Sequence, residues 1–193
     1  MQPIQVKSAV PKTIIVGLAM FLLPLFSYAQ TRTMPIINAM TLDGKTINLP
    51  AASGRPIVLV FGFAHSAKEE GETWGRELIA MHKERSDFDF FQVATLSGAP
   101  RFTYGLITRA IRASVPSAYY PHMLLLTAND KAWRDLLDVT DEGSAYVVLC
   151  SPTGGVQWRS RGAGQAQFQA LRAELRKSDA VDRLALGGLD VDR

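Results

Sequence analysis

The chain has 193 residues, 47% of them hydrophobic and 20% charged, with a formal net charge of +3. That composition belongs to a globular protein and excludes a disordered one, and the length supports one domain with a full core rather than two. The alkaline balance excludes little by itself, but Lys and Arg alternate with Asp and Glu along the helical stretches instead of clustering on one face, so no nucleic-acid partner is expected.

Lys7 and Lys12 precede an uncharged apolar run, residues 13–26, and Ser27-Tyr28-Ala29 supplies small residues where a signal peptidase reads. Residues 1–29 are therefore expected to be a signal peptide cleaved near Ala29, which places the protein in the periplasm or outside the cell. Pro24 and a run shorter than the roughly 20 residues a span needs argue against an uncleaved anchor. Without this segment the formal charge falls to +1, because Lys7 and Lys12 leave and no acid does.

Residues 30–177 are expected to form the domain. Asp43-Gly44 between alternating apolar positions predicts a type I′ hairpin flanked by two short strands. Ser53-Gly54-Arg55-Pro56 then breaks the chain before Ile57-Val58-Leu59-Val60-Phe61-Gly62-Phe63, whose continuous hydrophobicity predicts a strand covered on both faces. From Lys68 to about Arg85 the spacing of Trp74, Leu78 and Met81 predicts a helix, with Glu69, Glu70 and Glu72 suiting its dipole. A strand over residues 87–96 follows. A helix then opens at Pro100 and ends at Pro116, with Phe102, Leu106, Ala110 and Ile111 inward and Arg101, Arg109 and Arg112 outward.

Residues 122–127 form another apolar strand, and Asn129 or Asp130 can cap a helix through Trp133, Leu136 and Leu137. A strand over 145–150, a turn at 151–155 and a strand over 156–160 lead to a last helix over 166–177 carrying Phe168, Leu171 and Leu175. Residues 178–193 read as a flexible tail. Strands alternating with helices predict an α/β domain: a central mixed sheet flanked by helices, with an N-terminal hairpin and a strand-helix insertion.

Phe61-Gly62-Phe63-Ala64-His65 resembles the strand end of Sco-type copper chaperones, in the redoxin branch of the thioredoxin-like superfamily. In those proteins a Cys-x-x-x-Cys pair follows, and the two cysteine positions fall here on Ser66 and Glu70. The family's distal metal-binding His would lie near residues 141–144, where none stands, and the thioredoxin cis-proline would fall near Ala145. A second resemblance covers more of the chain. Gln92-Val93, Gly98-Ala99-Pro100-Arg101-Phe102, Val115-Pro116, Trp133-Arg134-Asp135-Leu136-Leu137, Ala145-Tyr146-Val147-Val148-Leu149 and Gly155-Val156-Gln157-Trp158 are similar to the thioredoxin-like assembly factor of mitochondrial ATP synthase, often called ATPase assembly factor ten. This second resemblance implies a protein that helps a membrane subunit fold or assemble without thiol turnover.

Disulfide exchange needs an attacking and a resolving thiol. Cys150 is the sole cysteine, and its place mid-strand in an apolar run suits packing rather than attack. No catalytic residue, cofactor or metal site is expected: His65, His82 and His122 fall on three elements without paired spacing, and Glu69, Glu70 and Glu72 suffice as a helix start. His65 and Ser66, neighbours on an extended stretch, would point to opposite faces.

The expected function is an exported, redox-inactive binding or assembly module, chaperone-like, for a protein partner in the cell envelope such as a membrane-protein client. Its binding face would be the former active-site face, with His65, Ser66 and Glu70 joined by Arg109 and Arg112. Two other readings use the same face: an enzyme working through His65, Ser66 or Glu70, and a carrier holding a metal on hard ligands.

Overall fold

The computed structural model describes residues 32–50 and 53–187, and their side chains as far as residue 178. The expected signal segment lies outside the described residues. Residues 31–193 form one compact unit by themselves.

The chain opens with strands β1 (Ile37–Thr41) and β2 (Thr46–Leu49), antiparallel and paired from Ile37 with Leu49 to Met40 with Thr46. The turn differs from the predicted two-residue I′ form. The Thr41 N–H donates to the Lys45 carbonyl and the Gly44 N–H to the Thr41 carbonyl, with Gly44 at φ +89°, which is a three-residue loop closed by a left-handed glycine. The Thr41 side chain explains the longer loop: its hydroxyl donates to Asp43 and accepts from the Lys45 N–H.

Strand β3 (Ile57–Gly62) is buried along nearly its whole length, as its unbroken hydrophobicity predicts, and is followed by a 3-10 turn (His65–Ala67) and helix α1 (Lys68–Glu84). Strand β4 (Asp89–Thr95) leads to a 3-10 turn (Arg101–Thr103), helix α2 (Tyr104–Ser114) and a second 3-10 stretch (Ser117–His122). Strand β5 (Met123–Leu126), helix α3 (Asp130–Leu137), strands β6 (Ala145–Cys150) and β7 (Val156–Arg161), and helix α4 (Gln165–Gly187) complete the order. The last helix runs to Gly187, beyond the end expected near Lys177. Arg176, Lys177, Ala180, Leu184 and Ala185 all favour helix.

The seven strands form one sheet in the order β2-β1-β5-β4-β3-β6-β7. β3 lies parallel to β4 and antiparallel to β6, and β4 lies parallel to β5. Each sheet face carries its own core. One gathers Ile37, Leu59, Phe61, Leu124, Trp133 and Val148 under α3. The other gathers Val58, Val60, Trp74, Leu78, Phe90, Val147, Phe168 and Leu171 under α1 and α4. Arg172 of α4 clamps that pair of helices, with Glu77 at 2.9 Å and Glu84 at 2.8 Å on α1.

Of the four residues expected inward on helix α2 and the turn before it, only Ile111 is partly covered. Phe102 is 88% exposed and Leu106 69%, Ala110 is exposed, and the half-buried side is Tyr104, Ile107, Thr108 and Ile111. Both stripes have helical spacing, so the pattern alone cannot choose between them. The Arg112 guanidinium, read as outward and solvated, folds onto the hairpin loop and donates to the Leu42 carbonyl from Nε at 3.0 Å and Nη2 at 2.6 Å. Nor does Asn129 cap α3 with its side chain. It stands at φ +63° and its Nδ2 donates to the Ile36 carbonyl.

Candidate functional site at the β3–α1 junction

The strand β3 ends at Gly62, and the chain tightens into the 3-10 turn that carries His65 and Ser66 before α1 begins. Both residues are therefore on a turn, and both are exposed; the alternation expected of an extended stretch does not apply to them. Glu70, in the first turn of α1, is half-buried and faces the sheet. Its Oε2 accepts the backbone N–H of Ala145, the first residue of β6, at 2.7 Å. Ala145 is fully buried and pairs with Gly62 across the sheet, so the carboxylate supplies a partner for the amide at the start of β6. A carboxylate acceptor makes this a charge-assisted bond.

One turn further on, the indole of Trp74 is buried and donates from Nε1 to the Gly162 carbonyl at 2.9 Å. The Gly162 N–H in turn donates to the Ala145 carbonyl. Ala145 is thus fixed through both of its backbone polar groups, one by α1 and one by the β7–α4 connection.

The loop over residues 138–144 forms the other wall. The Tyr146 hydroxyl accepts the N–H groups of Thr140 and Asp141, each at 3.0 Å; burial works against ionising this phenol, but those N–H groups together with the Thr140 and Arg161 side chains lower its pKa. Asp141 accepts from the Ser144 hydroxyl and the Gly143 N–H, which together hold its carboxyl below the ordinary range. The Gly143 position lies against Ser66: a side chain there would reach to 3.4 Å from the Ser66 hydroxyl. Inside this loop the Arg134 guanidinium sits 4.7 Å from the Phe63 ring centre while bonded to Asp130 and Glu142. The Phe63 ring meets Tyr146 edge-on.

The structure therefore brings Ser66 and Glu70 together with residues 140–145. Arg112 is committed to the hairpin loop and Arg109 is exposed on α2. No local signal marks the Glu70–Ala145 bond, since the partners are far apart in the chain. Asp141-Glu142-Gly143-Ser144 did carry an Asx-turn signal that marks a built loop.

A second grouping was also hidden. His82 of α1 and His122 lie 6.4 Å apart, ring centre to ring centre, beside a cavity of about 250 Å³ that Lys45, Arg55, Asp89 and Phe90 also line. His122 stacks on Phe90 at 4.1 Å, and its Nδ1 is 3.2 Å from the Phe90 carbonyl. Among the described residues no group of three or more His, Cys, Asp or Glu is placed to hold a metal ion.

Cys150 is buried as the last residue of β6, paired with Ile57, rather than in mid-strand, and burial pushes its thiol up to about 12. A thiol held there is neutral at physiological pH and a poor nucleophile.

No protein-family model matches the chain, and no curated protein matches it in sequence. Solved structures do match. A pneumococcal exposed lipoprotein thioredoxin, Etrx1 of Streptococcus pneumoniae, superposes with a TM-score of 0.53 at 14% identity, over 74% of this chain and 99% of that one. The fold is thioredoxin-like. BsSco, a member of the Sco family of cytochrome c oxidase assembly proteins, gives 0.54 at 13% identity, over 78% of this chain and 95% of that one. A thiol:disulfide interchange protein, DsbE of Chlorobium tepidum, gives 0.52 at 15% identity, over 77% and 96%. The thioredoxin-like neighbours named here thus include an exposed lipoprotein, and among the described residues of this chain no helix is long and apolar enough to cross a membrane.

Proposed function

We propose that this thioredoxin-like protein is a binding or assembly module of the cell envelope whose junction face holds a polypeptide client without thiol turnover. One observation carries the reading. Glu70, in the second of the two positions that the Sco-type resemblance assigns to cysteine, is engaged by the buried backbone N–H that opens β6. The site where a resolving thiol would act is filled by a structural contact, while Ser66, in the first position, is exposed beside a loop held by Tyr146, Asp141 and Arg134. A pre-ordered surface of this kind binds with little loss of conformational freedom.

The resemblance to the ATP synthase assembly factor family supports a membrane-protein client, and the apolar segment of residues 13–26 supports an exported location. An enzyme built on Glu70 and His65 has less support, because Glu70 turns to Ala145 while His65 is exposed on the preceding turn.

The test is site-specific photo-cross-linking from position 66 in the native envelope, with mass identification of the captured protein. One dominant membrane-protein adduct is expected, lost when the cross-linker is moved to the exposed Lys131 of α3. Reduction of insulin disulfides or of peroxide by the purified protein at an enzyme-like rate would overturn the reading.

A further inference from the structure

The interleaving of charges expected along the helices fails at α2: from Phe90 to Asn129 the chain carries Arg101, Arg109 and Arg112 and no Asp or Glu. This acid-free stretch includes the whole of α2 and the 3-10 turn before it. No residue of α2 is buried, and the solvent side of the turn and helix together presents Phe102, from the turn, and Leu106, Arg109, Ala110 and Ala113, from α2, which recur at helical spacing. Phe102 and Leu106 are the two most exposed large apolar side chains among the described residues.

We infer that α2 is a membrane-surface helix that lies on anionic phospholipid, with Phe102 and Leu106 entering the headgroup boundary and Arg101 and Arg109 pairing with lipid phosphates. Four features support this occupant over an acidic polypeptide. The two large apolar groups stand next to arginines, Arg101 beside Phe102 and Arg109 one turn beyond Leu106, as in helices that lie in an interface. Gly105, Ala110 and Ala113 fill the rest of the stripe, so little projects beyond Phe102 and Leu106 and the face is tangent to a plane. A helix seated in a protein groove would carry apolar anchors over two turns or more, whereas these stop after Leu106. The carboxylate next in line near the helix, Asp43 beside Leu42, is held by Thr41 and by Lys45 at 3.5 Å, so it does not offset the arginines. This surface is separate from the junction face, and the inference stands or falls without that proposal.

The experiment uses residues 31–193, which form a compact unit by themselves, so that the apolar segment at 13–26 cannot anchor the sample. Co-sedimentation with vesicles of phosphatidylcholine alone is compared with vesicles that also contain phosphatidylglycerol. Binding to the second kind only, weakened by salt, is expected, with a loss of roughly fivefold for each of Arg101→Gln and Arg109→Gln. The double variant Phe102→Ser/Leu106→Ser should lose on the order of tenfold or more. These positions are exposed, so near-ultraviolet circular dichroism should be unchanged. In Leu106→Trp, emission should shift to the blue on adding phosphatidylglycerol vesicles and be quenched by brominated lipid. Equal binding to both vesicles, no binding to either, or binding indifferent to all four substitutions would overturn the inference. Photo-cross-linking from Ser66 reports on the junction face alone, so a failure in one assay is distinguishable from a failure in the other.

Discussion

The carboxylate of Glu70 accepts the backbone N–H of Ala145 at 2.7 Å, joining the first turn of α1 to the first residue of β6. Because Ala145 is fully buried, Glu70→Ala leaves an amide without a partner, and a loss of about 1–3 kcal/mol in urea denaturation is expected. Glu70→Gln keeps an acceptor oxygen in place and should cost less than about 1 kcal/mol. Equal losses for the two variants would show that the charge, and not the acceptor, is what matters.

Burial holds the Cys150 thiol at about 12. An aromatic disulfide reagent at neutral pH should leave the native protein unlabelled and take up one equivalent once denaturant exposes β6. Rapid labelling of the native protein would show that Cys150 is not buried at the end of β6.

Burial also lowers the pKa of His122 below its ordinary value of 6.5, with the Phe90 carbonyl opposing and His82 adding repulsion. A base with a depressed native pKa contributes stability that is complete above 6.5 and is lost as pH falls from there through its folded value. The melting temperature should therefore decline as pH drops from neutral to about 5, above the range where carboxylates titrate. His122→Asn should flatten that slope. Asp43, Asp138 and Asp141, held low by Thr41, Arg159 and Ser144 first among their partners, act only below 3.8 and leave this window clear.

Gly75 makes room for the Gln92 side chain, whose Nε2 donates to the Gly71 carbonyl at 2.7 Å and so ties α1 to β4. A methyl at position 75 would collide with that amide, with its carbon at 3.1 Å and the Tyr119 ring at 3.4 Å. Gly75→Ala should cost about 1–2 kcal/mol although alanine is the better helix former. In a Gln92→Ala background the same substitution should become neutral or stabilising, which a double-mutant cycle would measure.

Much of the scaffold was legible because it depends on local pattern. The unbroken apolar run of β3, the helical spacing of Trp74, Leu78 and Met81, and the strand-helix alternation each reflect burial on a sheet or a helix face. The orientation of α2 was not legible, because Phe102-Leu106-Ala110 and Tyr104-Ile107-Ile111 repeat at the same period and only tertiary packing selects one. At the site, Ser66 and Glu70 could be singled out by where they fall after β3. The role of Glu70 could not, because its acceptor function depends on Ala145, 75 residues away, and a helix-dipole account explained the same acid. The His82–His122 pair was hidden for a similar reason: neither residue carries a local spacing signal, and the pairing exists only once α1 and the turn before β5 are brought together.

Strands β3 and β6 are buried on both faces, whereas α2 buries none of its side chains. Opening free energies follow that contrast, since an element with few buried contacts can unfold locally while the cores stay intact. Amide hydrogens of residues 104–114 should thus exchange with solvent through brief local openings, and those of β3 and β6 only when the whole unit unfolds. The arginine-bearing arm can reshape itself against whatever it meets without loosening the Glu70–Ala145 bond.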